Sequence, residues 1–228
     1  MILIGKTDMY DVSKHAALFN RDFAPDREGI IVGVGSIGSR FALHMAELDL
    51  PFALMDPDTV EQHNIANQAY EQGDIGALKV VAVREACYRK NGHVLQTYPF
   101  AHDTEKLPYG IVASCVDTMS ARKRLFAAAC NNTTQIFIDT RMTATSVMVY
   151  ILNPSDTKQC ARYRETLYDD SEVNEDTGGC SLTQSVGATA QLAASLATVR
   201  LIDWIMNRRK VFETLFGWSV GGYSEQLT

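Results

Sequence analysis

The sequence predicts an α/β protein built on a doubly wound, mostly parallel sheet, and three observations support this class. Apolar runs of strand length alternate with segments of helical character over the first two thirds of the chain. The first of these runs enters a glycine-rich turn, where Gly33, Gly35 and Gly38 have GxGxxG spacing. Asp56 ends the second run, 18 positions after Gly38. A glycine turn and an acidic residue placed in this way are typical of a Rossmann-like, nucleotide-binding sheet.

The individual elements follow from the same alternation. Apolar runs predict strands at 28–35, 51–56, 93–100, 110–117, 135–142 and 145–153. Helical segments are predicted at 36–48, 79–91, 120–132 and 186–205. The tail, 214–228, is predicted to close the sheet, so that antiparallel strands lie at its C-terminal end.

Two regions fall outside this alternation. Residues 1–28 are mixed and charged, and a helix over about 9–22 is expected to form an N-terminal helical cap. Residues 29–228 then form the nucleotide-binding domain. Within that domain, residues 155–180 are polar, acidic in the middle, and end in Gly-Gly-Cys, which predicts a long crossover loop. Loops of this length are uncommon in compact domains and are often functional.

Composition limits the classes of partner and compartment. The 228 residues carry a net charge of −6, which gives no support for a nucleic acid or a membrane as partner. The N-terminus lacks the features of a signal peptide, and polar residues interrupt the apolar stretch 186–206, which is therefore interpreted as a buried helix. An odd number of cysteines, five, indicates reduced thiols and a cytoplasmic protein.

Four of the cysteines are assigned to structure. Cys87, Cys115 and Cys130 lie in apolar or helical segments and are expected in the core. Cys160 lies in the polar segment, and no CxxC pair exists to complete a site with it, so no zinc is predicted. The five histidines are scattered and are given no role.

The glycine turn and Asp56 have a clear physical role in holding a nucleotide. Glycines let backbone amides approach phosphate closely, and the helix N-terminus adds partial positive charge. The Asp56 carboxylate can accept ribose hydroxyls. On these residues alone, NAD or FAD is as good a ligand as ATP.

Further motifs narrow this choice. The segment after the second strand reads Asp-Pro-Asp-Thr-Val-Glu-Gln-His-Asn-Ile-Ala-Asn-Gln, and it is followed by D-x-G-x-x-K and, later, by D-x-x-x-x-R. These ordered motifs resemble those of the ThiF/MoeB adenylyltransferases, the superfamily of ubiquitin-activating enzymes. The resemblance covers roughly residues 29–206. The positions that carry it are Asp56, Asp58, Val60, Asn64, Gln68, Asp74, Gly76, Lys79, Asp117 and Arg122.

The resemblance implies ATP as substrate and magnesium as cofactor. It implies that the glycines cradle the phosphates, that Asp56 with Asp58 holds the ribose, and that Asn64, Asn67 and Gln68 lie at the phosphate region. By the same likeness Lys79 neutralises developing charge and Asp117 binds magnesium, for which one carboxylate with phosphate oxygens suffices. Taken alone, Lys79 is a solvated lysine at a helix start, Asp117 is a helix cap, and Arg122 is a structural residue.

Two departures from the family pattern bear on activity. Asn67 stands where the family usually has an arginine, and an amide cannot replace a guanidinium charge. The family's N-terminal Arg-x-x-Arg-Gln signature is absent, and only Arg21 and Arg27 occur in that region. The chain is thus either a divergent enzyme or a subunit that needs a partner to complete its site.

Cys180 ends the predicted crossover loop. By the resemblance, a thiolate there could take over an activated acyl group or join a persulfide relay, although an inert loop cysteine explains it equally well. The first hypothesis for the whole chain is adenylylation of the C-terminal carboxylate of a ubiquitin-like or sulfur-carrier protein with a Gly-Gly tail. The second is a non-catalytic, nucleotide-binding partner, and the third, weaker, is a dinucleotide-dependent oxidoreductase. A homodimer, or pairing with a related subunit, is expected from the resemblance.

Overall fold

The computed structural model describes residues 10–102, 107–131, 133–172, 186–208, 210–219 and 222–227. Its strands are β1 (Gly29–Val32), β2 (Phe52–Met55), β3 (Thr97–Tyr98), β4 (Ile111–Ser114), β5 (Ile136–Met142), β6 (Ser146–Leu152), β7 (Glu213–Ser219) and β8 (Gly222–Leu227). Its α-helices are α1 (Ser36–Glu47), α2 (Lys79–Asn91), α3 (Met119–Ala129), α4 (Thr157–Arg164) and α5 (Gly187–Ile205).

The strands of the described ranges form one eight-stranded sheet in the order β3-β2-β1-β4-β5-β6-β7-β8. Strands β1 to β5 run parallel to their neighbours, and β6, β7 and β8 extend the sheet by antiparallel pairing. This confirms the predicted doubly wound sheet with C-terminal antiparallel strands. The chain leaves β1 toward β2 on one side and returns to β4 on the other. The order therefore reverses between β1 and β4, where open α/β sheets hold their ligands.

The helices cover both faces of the sheet. Helices α1, α2 and α5 pack together on one face, around apolar side chains that include Phe41, Val83 and Leu201. Helices α3 and α4 pack on the other face, where Leu125 and Tyr163 are fully buried. Because the β1, β2 and β4 strands are covered on both faces, every one of their residues is buried.

Three sequence predictions differ from the structure in detail. The α-helix expected over about 9–22 is wrong for the described residues, which form turns and a short 3-10 turn, Arg21–Phe23. The side chains of Asp11 and Asn20 accept backbone N–H groups at 2.8 and 2.9 Å, and such local bonds compete with helix formation. Strand β3 has only two residues, because Pro99 cannot donate to a ladder.

The segment predicted as a loop over 155–180 contains a helix, α4. Its cap is Asp156, whose Oδ1 accepts the N–H groups of Lys158 and Gln159 at 2.9 and 3.1 Å. Tyr163 anchors it, with its ring centroid 4.6 Å from that of Phe126. The tail forms two strands, β7 and β8, where one had been expected. The remainder of the predicted loop, 173–180, lies outside the described residues.

The cysteines are reduced wherever the structure describes them. Cys87 is fully buried on α2, as predicted. Cys130 is exposed, so its assignment to the core is wrong, because α3 ends at Ala129 and Cys130 is the residue that caps it.

Candidate nucleotide-binding site

A cavity of about 440 Å³ opens at the carboxyl ends of β1 and β4, at the point where the strand order reverses. Its wall includes residues that precede and follow four different helices, so it is built by the fold and not by one local motif. Of the residues predicted from the sequence, the cavity wall contains Gly33, Gly35, Asp56, Asp58, Gln68, Lys79 and Asp117.

The glycine turn brings the start of α1 to this cavity. Gly33 has a φ of +84°, and a β-carbon there would lie 2.7 Å from the Cys115 carbonyl oxygen. A β-carbon on Gly38 would lie 1.9 Å from the Gly33 carbonyl oxygen, so Gly38 is required for helix packing and does not line the cavity. Gly35, the N-cap of α1, has open space beside it. The N-terminal amides of α1 are thus aimed at the region where a phosphate would be held.

Asp56 is held rigidly at the end of β2. Its Oδ2 accepts the Val34 N–H at 2.8 Å and its Oδ1 accepts the Asp58 N–H at 2.9 Å. Burial raises the pKa of the Asp56 carboxyl, while these two hydrogen bonds and Lys79 oppose the rise. Each carboxylate oxygen keeps a further lone pair, so the group can still accept the hydroxyls of a ribose.

Lys79 begins α2, and its side chain is mostly buried. A cation at a helix N-terminus is unfavourable, because the partial charge there is also positive. The structure compensates with an ion pair of 2.8 Å between Lys79 Nζ and Asp58 Oδ2. The predicted lysine is therefore present at the cavity and is held by a carboxylate.

Asp117 follows β4 and is exposed at the cavity. The alternative that Asp117 caps α3 is wrong, because Thr118 Oγ1 accepts the Ala121 N–H and the Asp170 carboxylate accepts the N–H groups of Met119 and Ser120. Within the described ranges, Asp117 makes no hydrogen bond or ion pair. A free carboxylate beside a phosphate-binding turn suits magnesium, which would complete its ligand set with phosphate oxygens and water. No group of three or more His, Cys, Asp or Glu among the described residues is arranged to hold a metal.

Three predicted residues do not line the cavity or cannot be placed. Asn64 is buried and its Oδ1 accepts the Glu61 N–H at 2.8 Å, which caps a 3-10 turn. Asn67 lies near the start of α5, since a β-carbon on Gly187 would be 3.6 Å from Asn67 Cα. Cys180 lies outside the described residues.

Arg122 belongs to a buried charged triad below the cavity. Its guanidinium pairs with Asp139, and it also donates to the Thr140 carbonyl at 2.9 Å. Arg141 pairs with the same carboxylate at 2.7 Å, and its guanidinium lies 4.6 Å from the Tyr150 ring centroid. The arrangement agrees with the structural interpretation of Arg122. Two guanidiniums share one carboxylate, so the triad carries a net positive charge at the cavity floor.

Sequence reasoning missed several residues of the wall. Phe100, Ala101 and His102 follow β3, and the rule that ligands bind at strand ends could have indicated them. Cys115 also lines the cavity, and burial raises its pKa to about 12, so it stays protonated near neutral pH. Arg124 lines the cavity from α3, and no sequence motif marked it.

Fold and cavity together define an α/β protein with a nucleotide site at the switch point of its sheet. Residues 26–220 match the model of the ThiF family, and the chain belongs to that family. No curated protein matches the sequence.

Solved structures share this fold at low sequence identity. One of PaaA has a TM-score of 0.69 and 16% identity, over 91% of this chain and 74% of that one. Escherichia coli MccB with ATP has a TM-score of 0.68 and 14% identity, over 97% and 73%. The microcin C7 biosynthetic enzyme MccB with N-formylated MccA has a TM-score of 0.70 and 16% identity, over 91% and 66%. In another MccB structure the match spans only 63% of that chain. Among the described residues, no helix is both long and apolar enough to cross a membrane.

Proposed function

We propose that this protein is an ATP-dependent adenylyltransferase that activates the C-terminal carboxylate of a protein or peptide. One observation carries the proposal: a single cavity joins the glycine turn, Asp56, Lys79 and Asp117. These groups supply, in one place, amides for phosphate, an acceptor for ribose, a cation and a magnesium ligand. Family membership and the MccB structures with ATP and with MccA support the same reaction type.

The chemistry follows from the charges at the site. A substrate carboxylate oxygen attacks the α-phosphorus of ATP, the bond to the β-phosphate oxygen breaks, and pyrophosphate leaves with its electron pair. Two anions must meet, so positive charge from Lys79 and the α1 N-terminus lowers the barrier. Magnesium, held by Asp117, would offset the charge of the phosphates.

For the substrate, a ubiquitin-like or sulfur-carrier protein with a Gly-Gly tail is the proposal from the sequence motifs. Cys180 is proposed as acceptor of the activated acyl group. If so, Cys180→Ser should form the adenylate but lose a thiol-sensitive link to the carrier, because a hydroxyl is a far poorer nucleophile than a thiolate.

ATP–pyrophosphate exchange tests the proposal. Purified protein, magnesium, ATP, labelled pyrophosphate and a Gly-Gly-tailed carrier should yield labelled ATP only when the carrier has its terminal carboxylate. A carrier with an amidated C-terminus is the matched control. Exchange that is absent with every carrier and peptide tried, or equal with the amidated control, would contradict carboxylate adenylylation.

A second candidate is a nucleotide-binding subunit without its own activity. Asn67 favours it, because the guanidinium expected there is missing. Under this alternative, ATP should bind in calorimetry while exchange stays at background until a related subunit is added.

A further inference from the structure

The cavity has two chemically different ends. The polar end holds Gly35, Asp58 and Lys79, beside the N-terminus of α1. The other end has an apolar floor of Val32, Met55 and Leu125. The floor lies on the sheet face that α3 covers, whereas α1 packs on the opposite face. A ligand that fills the cavity must therefore have an anionic part and a flat or apolar part.

Phe100 borders the cavity and is 48% exposed. Its ring packs against Tyr98 at a centroid distance of 5.7 Å and an interplanar angle of 60°, so part of the phenyl surface remains available. An aromatic ring beside an apolar floor is a surface on which a planar ring can stack.

Arg124 lines the same cavity and differs from the two basic residues before it. Arg122 is buried against Asp139, and Lys123 pairs with Asp169 at 3.1 Å. Arg124 is exposed, and it makes no hydrogen bond or ion pair with another residue in the described part of the chain. Its guanidinium is planar and carries five N–H donors, so it can stack on a ring and donate to ring nitrogens at the same time.

We propose that Phe100 and Arg124 hold the purine base of the nucleotide. The base lies over the apolar floor, Phe100 stacks on it, and the Arg124 guanidinium covers or hydrogen-bonds its edge. This assignment rests on the proposed function, because it takes a nucleoside triphosphate as the ligand. The glycine turn and Lys79 then bind the phosphates, so base and phosphate recognition are carried by different residues.

Two ligands separate these contributions. Calorimetry is performed on the wild type, Arg124→Ala and Phe100→Ala, each with magnesium plus either ATP or tripolyphosphate, which lacks the base and ribose. Each variant should weaken ATP binding about tenfold, the size expected for loss of one stacking partner, and leave tripolyphosphate binding within about twofold. Arg124→Lys should not restore ATP binding, because an ammonium is not planar.

Lys123→Ala is the matched control, since Lys123 is on the same helix and pairs away from the cavity; it should bind both ligands as the wild type does. If Arg124→Ala weakens both ligands equally, Arg124 contacts phosphate and the inference is wrong. If it changes neither while the wild type still exchanges pyrophosphate, this inference fails and the proposed function stands. If the wild type binds no ATP, both fail.

Discussion

Lys79 and Asp58 are joined twice: the Lys79 backbone N–H donates to the Asp58 carbonyl at 2.9 Å, and the two side chains form an ion pair of 2.8 Å. The backbone bond fixes where α2 begins, and the side-chain bond keeps the ammonium at the cavity wall. An incoming triphosphate must compete with Asp58 for this ammonium.

Lys79→Met should reduce ATP–pyrophosphate exchange about 100-fold, because removing one preorganised charge at a phosphoryl site costs a loss of this order. Lys90→Met is the control: Lys90 is in the last turn of α2 and pairs with Glu47 at 2.7 Å. Exchange is measured at saturating ATP. Equal rates in both variants would make Lys79 a structural lysine only.

Asp117→Asn should abolish magnesium-dependent exchange and leave the melting temperature unchanged. The amide keeps the shape but loses the charge that a magnesium ligand needs. The cap of α3 is made by Thr118 and Asp170, so the fold does not need the Asp117 carboxylate. Exchange is titrated with magnesium, and a wild-type titration curve would contradict metal binding at Asp117.

Gly38→Ala and Gly35→Ala should separate fold from binding. A β-carbon on Gly38 overlaps the Gly33 carbonyl oxygen, so this variant should lose about 3 kcal/mol of unfolding free energy or fail to fold. A β-carbon on Gly35 meets nothing within 4 Å, so this variant should fold but bind ATP weakly, since the added methyl group faces the cavity. Denaturant unfolding and calorimetry measure the two effects. The reverse pattern would mean that the turn is wrongly assigned.

Stability should fall on acidification through His44. Its Nδ1 lies 3.0 Å from Thr198 Oγ1, and burial between α1 and α5 lowers its pKa, although Glu47 opposes the shift. A lowered pKa in the fold means that the unfolded chain binds a proton first. The free energy of unfolding should therefore decrease as pH falls below about 6.5, the ordinary histidine pKa, until the folded-state pKa is passed. Arg40 and Lys90 act in the same direction as burial.

The measurement is the difference between wild type and His44→Gln in urea unfolding from pH 7.5 to 5. Glutamine is neutral throughout, so the variant should lack the part of the slope that belongs to His44. Parallel curves for the two proteins would show that other groups cause the acid sensitivity.

Arg122→Met should destabilise the fold by about 3 kcal/mol, because it removes one of the two guanidiniums from a fully buried carboxylate. Lys123→Met breaks only an exposed pair and should change stability by less than about 1 kcal/mol. Unfolding in urea measures both. Equal effects would show that the Asp139 triad is not needed for stability.

The sequence was sufficient for the features that depend on local pattern. The glycine turn, Asp56 and the start of α2 lie within one continuous segment, where spacing alone marks their roles. The strands of the parallel sheet are buried apolar runs, which are easy to find. Helix α4 was missed because its sequence is polar and only Cys160 and Tyr163 are buried on it. Its stability comes from aromatic packing with residues far away in the chain.

The base end of the cavity could not be predicted for a similar reason. Phe100 and Arg124 belong to different elements, and neither is part of a short motif. Only the packing of α3 beside the end of β3 brings them to one cavity. In the same way, Asn64 matched a family motif, but its side chain serves a local turn.

The buried triad of Arg122, Asp139 and Arg141 has a consequence for how the pocket attracts anions in salt. Surface charges are screened over about 8 Å at physiological ionic strength, whereas a charge enclosed by protein is screened much less. The exposed Arg124 should lose its long-range influence as salt is added, but the excess positive charge of the triad should persist. Attraction of a triphosphate to this cavity would then have a part that salt removes and a part that it does not.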